Sequence, residues 1–143
     1  MANSLYMSGR QGFLDGSIDF DTNTIRLTLI NRDGGGSLNN VTDITFYTQV
    51  GDTARVKTYD AALAATGIGG KTVTSGVADG FDCTLSATSG QPVGAIILWA
   101  DSGSPSTSRL IGWIDTGTGL PASPNGGDIT VQWSAGASRI FML

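Results

Sequence analysis

Apolar and polar residues alternate with a period of two along much of this chain, most clearly near its C-terminus. In Asp128–Trp133, Ile129, Val131 and Trp133 fall on one side and Thr130 and Gln132 on the other. That is the spacing of a strand with one buried face, because successive side chains point to opposite sides. Ser134–Ala137 reads as a turn, and the apolar run Ile140–Leu143 would fray unless paired into a sheet. Residues 128–143 are therefore expected to form a β-hairpin that closes the fold.

The same alternation predicts a strand over Thr24–Ile30, with Ile25, Leu27 and Leu29 opposed to Arg26 and Thr28. Beyond Gly67–Gly70, strand signals recur about every twelve residues. They fall at Lys71–Thr74, Phe81–Ala87, Ala95–Ala100, Leu110–Thr116, Ile129–Trp133 and Arg139–Leu143. Ala95–Ala100 is apolar throughout. This predicts a central strand, or one whose second face is covered by a helix or a neighbouring chain.

Elsewhere the pattern is weaker. Ser17–Asp21 suggests a short extended piece, Asn31–Ser37 a glycine-rich loop, and Arg55–Thr58 an extended segment. Phe46, Tyr47 and Val50 suit either one helical face or a short strand, and Ala61–Ala65 a brief helical turn or loop. Residues 4–15 are the best helix candidate: Ser4 is placed to cap it, Leu5, Tyr6, Phe13 and Leu14 form its apolar stripe, and Gly16 closes it. Gly9 and Gly12 each cost such a helix about 1 kcal/mol relative to alanine, so it must lie against its own sheet or a neighbouring subunit. The fold class expected is mainly β: a single-domain antiparallel β-sandwich or barrel with a short N-terminal helix. Residues 1–16 form the helix or arm and 17–143 the β-sandwich domain.

Composition reinforces this reading. All twelve acidic residues are Asp, and the basic ones are six Arg and two Lys. Asp, Gly, Ser and Thr favour caps and turns, whereas the absent Glu and scarce Lys are surface helix formers. The net charge of −4 and the lack of a Lys/Arg cluster argue against a nucleic-acid partner. No apolar run is long enough to cross a bilayer as a helix, and the N-terminus lacks the layout of a signal peptide. Cys83 lies in a strand-like run and is expected to be a buried thiol.

The chain has no histidine, which removes the usual general base and the commonest metal ligand. The glycine clusters at 34–36 and 67–70 do not sit between strand and helix as phosphate cradles do. Asp19-Phe20-Asp21-Thr22-Asn23 resembles the opening of a calcium loop. However, Thr24 stands where such a loop has Gly, and Ile30 where it has Glu, which favours a structural turn. No cofactor, metal or catalytic residue is expected, and the chain does not read as an enzyme. Trp113 and Trp133 are expected in the core. Trp99, beside the polar loop Asp101–Ser108, is the tryptophan placed to line a groove or an inter-subunit seam.

Three stretches carry a resemblance. They are Gly9-Arg-Gln-Gly-Phe-Leu-Asp-Gly-Ser-Ile-Asp19, the run Ser108–Trp133 with its Leu120-Pro-Ala-Ser-Pro-Asn-Gly-Gly-Asp-Ile-Thr-Val131, and the Arg139-Ile-Phe-Met-Leu143 ending. Together they resemble a family of small virion structural proteins of tailed bacteriophages. The likeness covers both ends and leaves residues 31–66 as a variable middle. It implies a non-enzymatic particle protein made in the bacterial host cytoplasm, with a head decoration or cement protein on the outer capsid surface the favoured role. Its partner would be the major capsid protein, or tail subunits if the place is tail, baseplate or fibre. A homo-oligomer is implied, in such proteins often a trimer, with no nucleic-acid or membrane partner. Leu5, Tyr6, Phe13, Leu14 and Trp99 are the candidate partner contacts; residues 4–15, the middle loop and one sheet face are expected to serve attachment, and deletion of residues 1–15 to abolish it while the remaining domain folds. A different class of function, a carbohydrate-binding β-sandwich using Trp99 and loop aspartates, is the further alternative.

Overall fold

The chain enters its fold as a strand, not as a helix. In the computed structural model, which describes residues 3–31, 42, 44–50, 55–58 and 67–143, Ser4–Leu5 forms β1, with Ser4 opposite Trp113 and Leu5 opposite Gly112. Tyr6 N donates to Ile111 O (2.9 Å). Helix α1 therefore begins only at Met7 and ends at Asp15, three residues later than the expected start at Ser4. An open sheet edge offers Ser4 and Leu5 backbone partners that the free first turn of a helix lacks. Ser4 consequently does not cap; Tyr6 holds that position, with no side-chain hydrogen bond. Gly16 closes the helix in the left-handed conformation (φ 76°) as expected.

The other strands are β2 (Ile25–Asn31), β3 (Arg55–Thr58), β4 (Thr72–Thr74), β5 (Val77–Asp79), β6 (Cys83–Leu85), β7 (Val93–Ala100), β8 (Leu110–Ile114), β9 (Ile129–Val131) and β10 (Phe141–Met142), with a 3-10 turn at Tyr47–Gln49. They form three antiparallel sheets, in the orders β1-β8-β7-β2-β3, β10-β5-β4 and β6-β9. Among the described residues the fold is mainly β, with one short α-helix near the N-terminus.

Several expectations need correction. Residues 128–143 are not a hairpin: β9 pairs with β6, Cys83 opposite Val131, while β10 pairs with β5, Phe141 opposite Ala78. Between them Trp133 is drawn off, its N–H donating to Asp82 Oδ1 (2.9 Å) and its Nε1 to Phe81 O (3.0 Å). Ser17–Asp21 is not a strand, because Ile18 N turns back to Gly12 O and Asn23 N to Asp19 O. Strand β5 falls between the predicted strands Lys71–Thr74 and Phe81–Ala87, and Ala61–Ala65 and most of Asn31–Ser37 lie outside the described residues.

Strand β7 lies between β2 and β8, and its unbroken apolar run follows from that place. On one face Ile96 and Leu98 meet Leu27, Leu29 and Ile111 in a core shared with the two smaller sheets. On the other, Ala95, Ile97 and Trp99 join Ile30, Leu110 and Trp113 beneath Tyr6, Tyr47 and Val50. The covering of that second face is thus the chain's own first residues and 3-10 turn. Each fully buried large side chain contributes about 1.5–3 kcal/mol, and both edges of β7 are paired, with β2 and β8.

Candidate functional site

Four of the five candidate contact residues lie on the N-terminal segment, which is stitched into the sheet. Ser8 Oγ donates to Leu110 O (2.8 Å), and α1 passes β8 at Gly9, where a Cβ would stand 2.8 Å from Ile111 Cα. Tyr6 is 0% exposed, and burial pushes its hydroxyl pKa well above the ordinary value. Trp99 is only 6% exposed. Its ring stacks on Tyr47 (centroids 3.8 Å, 9° between planes), and its Nε1 donates to the buried Thr28 Oγ1 (3.1 Å), which also meets the Tyr47 hydroxyl (3.1 Å). Tyr6 and Trp99 therefore serve the protomer's own core. Leu5 and Phe13 are half-buried, while Leu14 is 86% exposed.

Phe13 leads to an apolar cleft of about 530 Å³ between the end of α1 and one face of the β10-β5-β4 sheet. Register places Phe141, Ala78 and Val73 in one row across that sheet, and Phe141 packs against Phe13 (5.6 Å) and edge-on against Phe20 (5.5 Å). The rim stays open: Val73 is 51% and Leu143 62% exposed. Val73 lies on β4, whose three residues are all exposed at a sheet edge.

Asp19 and Asp21 also line the cleft. The hydrogen bond from Asp21, then that from Thr22, holds Asp19 below the usual carboxylate range. The same bond, and after it the charge of Asp19, pushes Asp21 up. Two carboxylates this close resist carrying two charges. The turn they sit on is closed by Asn23, whose Oδ1 accepts from Asp19 N (2.9 Å). No cluster of three or more potential metal-binding Asp or Cys side chains occurs among the described residues.

A second concavity, about 570 Å³, runs between the loop 116–122 and the segment from β9 to Arg139. Its aromatic wall is the half-buried Trp133. Of the tryptophans, then, Trp99 and Trp113 are buried in the core, while the half-buried Trp133 packs against the core's margin and lines this groove. The alternation in Ile129–Trp133 misleads because β9 ends at Val131; Trp133 is oriented by Asp82 and Phe81, residues from a distant part of the chain.

Cys83 is buried, its thiol directed to Phe81 O (3.5 Å). Burial first, and the charge of Asp82 second, push the thiol pKa up to about 12. That environment suits a packing residue and not a nucleophile.

Compared with known proteins, the chain matches no family model and no curated sequence.

Proposed function

We propose that this protein is a structural subunit of a tailed-bacteriophage particle. In this reading it is a decoration or cement protein that binds the outer head lattice and bridges neighbouring capsid subunits. It acts by covering surface, as a homo-oligomer, and makes or breaks no bonds. The observation that carries the reading is the open apolar rim of the acidic cleft, where Leu143 and Val73 surround Phe13 and Phe141 at the surface. Solvent-facing apolar groups gathered around one cleft mark a contact surface. The resemblance of residues 9–19, 108–133 and 139–143 to phage virion proteins points the same way.

Stable interfaces bury about 1,200–2,000 Å² in total, more than one cleft supplies. Cementing would therefore combine this cleft with further contacts to a second copy or to the lattice. Any stabilisation then exists only on the assembled shell, because the ligand is the lattice itself.

The test is occupancy on particles. Val73→Asp with Leu143→Asp changes two exposed side chains and leaves the core intact. The expected result is a folded protein that no longer decorates heads, with wild-type protein present in the hundreds of copies that a head lattice demands. Undiminished occupancy by the double variant would remove the cleft from the interface. A low copy number confined to the tail would replace the head with a tail, baseplate or fibre position.

A further inference from the structure

We infer that the groove at Trp133 is a binding site for a short neutral saccharide, independently of where the protein resides. Sugar recognition needs a fixed aromatic face for the apolar C–H side of a pyranose and polar groups in reach of its hydroxyls. The groove supplies both. Trp133 is held at two points, N to Asp82 Oδ1 and Nε1 to Phe81 O (2.9 and 3.0 Å). The indole is therefore positioned before any ligand arrives, and its polar atom is already satisfied within the protein.

The opposite wall is equally set. Val93 and Ala122 exchange backbone hydrogen bonds (2.7 and 2.9 Å), and Leu120 N donates to Gly117 O (3.2 Å). At the far end, Asn3 Oδ1 accepts from Asp115 N and Thr116 N (3.0 and 2.9 Å). Such a preformed groove loses little freedom on binding.

Polar residues that line the groove with Trp133 include Gln132, Thr118 and Arg139. Among the described residues the side chains of Gln132 and Thr118 have no hydrogen-bond partner. Arg139 Nε faces Asp79 Oδ2 at 3.6 Å, which offsets its charge while leaving the other guanidinium N–H groups for hydroxyl oxygens. Among the described residues no carboxylate lines the groove, although the protein carries twelve Asp. A cationic ligand has no counter-charge there, and the paired arginine gives an acidic sugar little advantage over a neutral one. The volume, about 570 Å³, is in the range of small-ligand sites and fits one or two sugar rings.

The experiment is a glycan array of neutral hexose and N-acetylhexosamine oligosaccharides, followed by titration of hits by indole fluorescence and by NMR of the Trp133 Nε1–H. Expected are hits among neutral glycans, a shift of that indole signal, and affinity about tenfold weaker in Gln132→Ala and abolished in Trp133→Ala. Gln132 is exposed, so its variant folds and decides the matter if Trp133→Ala does not. An array blank for neutral glycans, binding only to acidic ones, or affinity unchanged in Gln132→Ala would each overturn the assignment.

Discussion

Gly9 lies directly over Ile111: a Cβ added to it would stand 2.8 Å from Ile111 Cα and 2.9 Å from Ile111 O. The backbone of α1 rests on the backbone of β8 with no side chain between them. Helix propensity alone predicts that Gly9→Ala stabilises by about 1 kcal/mol. Close packing against main-chain atoms, which cannot yield, predicts a loss of about 1–3 kcal/mol. The second term should win, read as a lower urea midpoint with unchanged slope.

The same contact bears on truncation. Removing residues 1–15 takes the wholly buried Tyr6 out of the core and uncovers the edge of β8. The expected product is an unfolded or aggregating chain, visible as lost cooperativity in thermal melts, and not a soluble domain deficient only in attachment.

Thr28 Oγ1 accepts from Trp99 Nε1 and meets the Tyr47 hydroxyl in a dry interior. Thr28→Val keeps the shape and removes the acceptor of the buried Trp99 Nε1–H. A loss of about 1–3 kcal/mol is expected, with a changed near-ultraviolet circular dichroism band from the stacked Tyr47–Trp99 pair.

Cys83 should be silent to a thiol reagent in the native protein and react once urea unfolds it, with labelling rate following the unfolded fraction. Burial pushes its folded pKa up to about 12, above the ordinary thiol value, so the native state holds the proton more tightly. The thiol's contribution to stability is complete below pH 9 and is lost as pH rises towards 12. Cys83→Ala should remove that part of the alkaline decline.

Asp21→Asn tests the paired carboxylates. The folded pKa of Asp21 is raised by Asp19, so the native state favours its protonated form, and ionisation at neutral pH opposes folding. The amide still donates to Asp19 but carries no charge. A higher melting temperature at pH 7 is expected, the gain shrinking as pH falls through the carboxylate range, where wild-type Asp21 takes up its proton. Equal melting temperatures at pH 7 would show that the pair is not strained.

Much of this architecture was legible in the residues. Ile25, Leu27 and Leu29 announced β2, the unbroken Ala95–Ala100 announced a strand covered on both faces, and Gly16 marked the end of α1, because period and turn chemistry are local properties of a chain. Pairing is not local. That β9 joins β6 and β10 joins β5, instead of each other, is a long-range pairing that no local pattern encodes. The fates of the tryptophans followed from that choice: Trp99 was buried when Tyr47 folded over it, and Trp133 was turned to a groove by acceptors about fifty residues earlier in the chain. Alternation tells a side chain which face of its own strand it occupies, but what lies against that face is settled only by tertiary packing.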